Sequence, residues 1–349
     1  MEDSFLFLRV RHIHSIRKGG KMKKSFLVIF CFLFCFFSIQ FTTPYAAEKF
    51  PVKPMEFIIP VEAGSDADVI SRPIMQKVSQ LLGQPVMIVN KPGAGSTIGY
   101  RAIHQAKPDG YTTGWGSATL ISNKLSGISP LDYHDFTMLG AFATYFPIIV
   151  ASTKTKRPFN TIQEVIAYGK SHPGEISLST ANIGGNWWVA SMAFMKGLGI
   201  EFNIIPQPGA GALSMAQVAG GHTDLACVAL GSAKALLDSG HVRFLVNLGD
   251  ERAAAPYDNI PTMKELGYDV GYESTQLAMG PPRMPKGIVE ILAKAIKQAA
   301  HEPEYVKFCS ERNARWVYIP PEKIVSVFDK RRETVREIMS KAGILKEAK

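Results

Sequence analysis

Cysteine is scarce in this chain, and metal-ligand spacing is missing. The 349 residues contain four cysteines, with no Cys-x-x-Cys and no His/Cys spacing suited to zinc. Dithiol redox chemistry and metal-built folds therefore find no support, and no metal or cofactor is expected. There is no Gly-x-Ser-x-Gly elbow, and His104, His134, His172, His222, His241 and His301 are scattered through polar surroundings. Asp66 and Asp68 are paired carboxylates, but at i and i+2 they point to different sides of a helix. No catalytic constellation results, and the chain does not read as an enzyme. No Lys/Arg cluster with interleaved aromatics occurs outside the N-terminal segment, which argues against nucleic-acid binding. The apolar run over residues 26–37 is short of the about 20 residues a bilayer crossing needs.

That run is informative in another way. Lys21, Lys23 and Lys24 precede it, and Ala46 and Ala47 follow. A basic stretch, a short apolar stretch and small residues make a secretory signal, expected to be removed at residue 47. An uncleaved N-terminal anchor is the alternative, because Tyr45 is bulky where a small side chain is preferred. Residues 1–47 carry seven Lys/Arg and two Asp/Glu, so the net charge of +9 falls to +4 without them. Most of the basicity belongs to export, and the mature chain is expected in the periplasm. Only Cys227, in an apolar run, and Cys309, in a helical stretch, would remain. Their different settings argue against a disulfide.

The 302 residues after position 47 suffice for two ordinary domains. Short apolar runs alternate with helical periodicity. Strands are expected at 57–60, 86–89 and 112–115, with helices at 66–82 and 96–106 between them. Residues 147–151 mark a crossover, after which the pattern resumes. Helices are read at 161–171, 186–198 and 212–219, and strands at 176–179, 202–205, 225–230 and 245–247. Pro281, Pro282 and Pro285 precede helical stretches at 288–301, 304–310 and 321–342. The β-α-β order predicts two similar α/β units with a mostly parallel sheet in each, the C-terminal segment returning to the first. The expected lobes are residues 48–146 with 271–349, and 147–270 between them.

Open α/β sheets bind ligands beyond the carboxyl ends of their strands. Here those ends are rich in small and hydroxyl residues. The first strand runs into Ala63, Gly64, Ser65 and Asp66, where Gly64 is expected to bring backbone against a ligand and a helix N-terminus would offer free amides. Ser65 or Asp66 as a plain helix cap is compatible with that. Ser117 and Ala118 follow the third strand. In the second unit the corresponding positions are Ser179, Thr180, Asn182, Gly184 and Gly185, then Pro208, Gly209 and Ala210, then Gly231. Each alone reads equally as a turn; together they suggest two loop sets facing across a cleft. The stretch from Gly93 to Gly99 follows a strand and opens a helix, but Ile98 stands where a dinucleotide fingerprint needs a small residue. A tight strand-to-helix turn is the preferred reading there.

These loops, in this order, resemble the tripartite tricarboxylate transporter substrate-binding family, the Bug receptors. The resemblance runs through Leu82-Gly83-Gln84-Pro85, Asn90-Lys91-Pro92-Gly93-Ala94-Gly95, Lys107-Pro108-Asp109-Gly110-Tyr111, Gly220-Gly221-His222-Thr223-Asp224 and Ile260-Pro261-Thr262. It implies a two-lobed periplasmic binding protein fold of type II-like form, with the ligand in the inter-lobe cleft. It also implies a small carboxylate ligand, held largely by backbone amides, and delivery by a monomer to a carrier with a large and a small integral subunit. Gly64, Ser65 and Asp66 match the family's first ligand loop, and residues 179–185 match that of the second lobe. Two departures stand out. Ser65 replaces a usual glycine, and Asn182, Ile183, Gly184, Gly185 and Trp188 replace the usual glycine-serine-histidine pattern. Trp187 and Trp188 thus become candidates either for a pocket taking a bulkier acid or for helix packing. A periplasmic sensor and an α/β enzyme with a phosphorylated cofactor remain the alternatives.

Overall fold

A computed structural model describes residues 50–208, 211–312 and 314–346; the expected export segment, Gly209 and Ala210 lie outside the described residues. The chain begins β1 (Met55–Ile59), α1 (Asp66–Leu82), β2 (Val86–Asn90), α2 (Thr97–His104), β3 (Thr112–Gly116) and α3 (Thr119–Leu125). β4 (Thr137–Tyr145) and β5 (Pro147–Ser152) follow, separated by one residue. Then come α4 (Ile162–Ser171), β6 (Ser177–Thr180), α5 (Asn186–Leu198), β7 (Asn203–Pro206), α6 (Ala212–Gly220), β8 (Leu225–Ala229), α7 (Leu230–Asp238) and β9 (Val242–Asn247). The chain returns through β10 (Ser274–Gly280), α8 (Lys286–Ala300), α9 (Pro303–Ser310), β11 (Ala314–Ile319) and α10 (Pro321–Lys341).

Two sheets result, one ordered β11-β4-β10-β3-β1-β2 and the other β7-β6-β8-β5-β9. Both are mixed, which corrects the expectation of mostly parallel sheets. Pairing is parallel for β1 with β2 and β3, and for β6 with β7 and β8. It is antiparallel for β10 with β3 and β4, β11 with β4, and β5 with β8 and β9. The reason lies in the crossovers. β4 runs with β1 and β3 towards the ligand edge and continues directly into β5. A strand that enters a sheet from that edge must run against the βαβ strands that finish there. β10 enters the first sheet in the same way.

Local sequence explains the elements that frame the cleft. In α1 the side chains of Ile70, Ile74 and Val78 recur at i+4 and are buried, with Ala67 and Met75 beside them. Each large one contributes about 1.5–3 kcal/mol of burial. Ser65 caps this helix through its hydroxyl, which accepts from the Asp68 amide, and Gly83 closes it in a left-handed conformation. α2 packs so closely that a Cβ on Gly99 would lie 2.7 Å from Pro60 and 2.9 Å from the Lys91 carbonyl. Gly99 therefore serves helix-to-strand packing, which suits a tight turn. The free thiols of Cys227 and Cys309 are both buried, unpaired with each other.

Candidate functional site

A cavity of about 250 Å³ lies between the two sheets. From the first sheet's elements it is lined by Pro60 to Glu62 and Asp66 after β1, by Gly93 to Ser96 before α2, and by Trp115, Thr119, Tyr145, Ser274 and Gln276. From the second it is lined by Ala181, Asn182, Gly185, Asn186 and Trp187 before and at the start of α5, and by Pro208. Among the described residues, no Lys or Arg lines it.

Its polar wall is one continuous network. The Trp115 indole N–H donates to Gln276 Oε1 at 2.9 Å. The Gln276 amide in turn donates to the carbonyl and hydroxyl of Ser274, at 2.7 and 3.0 Å. Asn186 reaches across from α5: its amide donates to Ser274 Oγ at 2.8 Å and to Ser117 Oγ at 3.2 Å, while its Oδ1 accepts from Tyr272 at 3.2 Å. Register shifts of β10 against β4 fall at Gln276/Leu277 and Ala278/Met279, beside this network. Two more links join the lobes. Ser122 donates to the Gly184 carbonyl, and Ser232 on α7 donates to Asp66 Oδ1 at 3.0 Å.

The anion-binding capacity sits at helix starts. α5 begins at Gly185, which has no side chain to cap it, and α2 begins at Ser96, whose hydroxyl makes no capping bond. Early amides of both helices thus remain for a ligand at the positive end of each dipole. α1 differs. Ser65 is engaged as a cap, and Asp68 accepts from the Gly64 amide at 3.0 Å, from Arg72 at 2.8 Å and from Asn90 at 3.1 Å. Burial alone would raise the Asp68 carboxyl, but Arg72, the Gly64 amide and Asn90 together hold it below its ordinary value. Asp66 is pushed the other way, up to about 6, because burial outweighs the Ser232 hydroxyl, the Trp187 indole and the charge of Arg312.

Of the residues expected at the ligand, Asp66, Asn182, Gly185 and Pro208 line the cavity. Ala63 and Gly64 are exposed on the outer side of their loop, and a Cβ on Gly64 would meet nothing within 4 Å. The Gly64 amide is spent on Asp68, and Ser65 on its cap. Ser117 is buried behind Asn186, and Ala118 is buried at the start of α3. Ser179 and Thr180 are buried within β6, where Thr180 Oγ1 accepts from Ser191 at 3.0 Å. Gly184 supports the lobe-to-lobe contact; its Cβ would lie 3.2 Å from Ile128. Gly231 falls in the first turn of α7, because the helix follows β8 without a loop. There it lines a separate cavity of about 290 Å³ with Lys234 and Arg312. Trp187 lines the main cavity, whereas Trp188 is buried without lining it.

Several lining residues escaped the sequence reading. Ser274 and Gln276 form an i, i+2 polar pair on β10, a strand with no signal before the prolines. Gly93 to Ser96 carried a signal, the glycine-rich turn, but as turn chemistry. Tyr145 ends β4, and Trp115 stands next to last in β3, in the small-residue stretch that the sequence placed at the cleft.

A family model described as tripartite tricarboxylate transporter family receptor matches residues 70–343. The chain belongs to this receptor family. The receptor is 26% identical to Protein BugT of Bordetella pertussis over 307 residues, 87% of this chain and 92% of BugT. Among solved structures it resembles the periplasmic binding protein BugD, at 25% identity and a TM-score of 0.76, over 85% of this chain and 100% of that one. It also resembles R. palustris Rpa4515 with adipate, at 21% identity and a TM-score of 0.78, over 84% and 98% of the two chains. The receptor thus has the two-lobed α/β fold of periplasmic binding proteins. Among the described residues no helix is long and apolar enough to cross a membrane, and no group of three His, Cys, Asp or Glu is placed to hold a metal.

Proposed function

We propose that the receptor captures one small carboxylate in the inter-lobe cavity and delivers it, from the periplasm, to the large and small integral-membrane subunits of a tripartite carrier. The observation that carries this reading is the cavity itself. Both lobes line it, it has the volume of a small acid, and its donors are backbone amides at two helix starts with the Ser274 hydroxyl. Such a donor set suits an anion without any basic side chain. The solved relative that holds adipate makes a dicarboxylate a reasonable first probe. The contacts we propose are the α5 amides, Gly95, Ser96, Asn186, Ser274 and Asp66.

The lobes divide, on this reading, at residues 146/147 and 270/271. β4 ends at Tyr145 in one sheet while β5 opens at Pro147 in the other, and β9 and β10 bracket the return. The mature receptor acts as a monomer after loss of residues 1–47 and performs no chemistry on its ligand. Mass spectrometry of small molecules released from the purified protein tests the reading. A stoichiometric organic acid supports it, and a nucleotide or a phosphorylated cofactor in its place refutes it.

A further inference from the structure

Asp66 sits awkwardly in a site built for anions. It lines the cavity, yet among the described residues no Lys or Arg lines that cavity to offset it. Ser232 reaches Oδ1 from the opposite lobe at 3.0 Å, and the Trp187 indole lies near the carboxyl, but Oδ2 is shut off from solvent and no hydrogen bond of good geometry reaches it among the described residues. A buried carboxylate with an unfilled oxygen is costly, and a second carboxylate beside it would repel it.

We propose that Asp66 enters the ligand complex as a neutral carboxylic acid, so that capture of an anionic carboxylate carries one proton into the cavity. The proposal rests on the carboxylate-binding reading and adds a chemical role for one residue of that site. In the neutral form the carboxyl carries a hydroxyl, which a turn of the Asp66 side chain brings into the cavity to donate to the incoming carboxylate oxygen. The proton comes from solvent, and no other bond changes.

The groups around Asp66 leave this balance intact. On its own loop and helix, Glu62 is exposed to solvent and Asp68 is engaged by Arg72. From β4, the Tyr145 hydroxyl donates to the Asp66 carbonyl at 3.4 Å, and Cys309 of α9 lies beyond it. From α5, the Trp187 indole favours the charged form, and so does Arg312 just after α9. Burial outweighs all of them and already holds the carboxyl near neutrality at mildly acidic pH, before any ligand anion is present. The ligand's charge acts in the same direction. A ligand bringing an ammonium group to an ionised Asp66 is the opposite case, and Arg312 already supplies positive charge on that side.

The test is calorimetric titration with adipate from pH 6.5 to 8.5, above the acid's own titration range. Affinity should fall by about 80- to 100-fold across that interval, since the neutral fraction drops nearly tenfold per pH unit. At pH 7.5, in buffers of different ionisation enthalpy, the wild type should take up close to one proton per adipate bound. Asp66→Asn, an isostere of the neutral acid, should bind with an affinity that varies less than about twofold over the same range and should take up no proton. Should that variant fail to fold, the wild-type proton count decides alone. A pH-independent affinity with no proton uptake overturns the proposal. So does tighter binding at pH 8.5, which would mean that the complex forms with Asp66 ionised. Binding of none of a panel of linear, branched and aromatic carboxylates, adipate included, at any pH overturns the carboxylate reading itself, and this inference falls with it.

Discussion

Replacing Asn186 by alanine removes the densest link between the lobes. Its amide donates to Ser274 Oγ and Ser117 Oγ, and its Oδ1 accepts from Tyr272, at 2.8, 3.2 and 3.2 Å. All three partners lie outside the second sheet, so opening of the cleft would break these bonds. A protein hydrogen bond contributes about 0.5–1.5 kcal/mol net, and Asn186 is only half-buried, so the closed state should lose about 1–3 kcal/mol. On the proposed reading the ligand binds the closed state, so its affinity should fall by about 5- to 150-fold. The side chain fills no core position, so unfolding of either lobe should change little. Calorimetry with adipate and thermal melting of the ligand-free protein separate the two effects. The reasoning fails if affinity changes less than twofold, or if the melting temperature drops while affinity holds.

Other consequences follow from single residues. Gly64→Ala puts a Cβ into open space but holds a non-glycine residue at φ +79, so it should cost about 1–2 kcal/mol in thermal melting and leave adipate affinity within twofold. Asp68→Ala should destabilise the chain by about 2–4 kcal/mol, because it leaves the Gly64 amide, Arg72 and Asn90 without their acceptor. The Asp68 carboxyl is lowered in the folded state, so its contribution is full above the ordinary aspartate range and is lost as pH falls through the lowered value. The difference in melting temperature between wild type and Asp68→Ala should accordingly shrink in strong acid. Burial pushes the Cys227 thiol up to about 12 and the Cys309 thiol up to about 11, so neither should react with a thiol reagent at pH 8 until the protein is unfolded.

The sequence disclosed what is amphipathic and hid what is buried on both sides. α1 and α5 begin and end where periodicity and capping place them, at Asp66–Leu82 and Asn186–Leu198. The long C-terminal helix was equally legible, and its Pro321 marks the start. β4 and β10 were not, because their residues are buried almost throughout and show no alternation to read. Ser274 and Gln276 stayed hidden with their strand. The expectation at Gly64 illustrates a second limit. Glycine content reports backbone conformation, and Gly64 does adopt a positive φ, but its amide serves Asp68 and the loop sends Asp66 inward instead. At Gly185 the missing side chain leaves the start of α5 without a side-chain cap. Mixed sheets escaped because crossover strands differ from βαβ strands in direction only, which composition does not encode.

Native mass spectrometry of the purified mature chain, with and without added dicarboxylates, tests the central claim most directly. The account predicts a single mass shift equal to one organic acid per chain, saturable and abolished by unfolding. A chain that retains a nucleotide, or that shows no shift with any carboxylate, would contradict it.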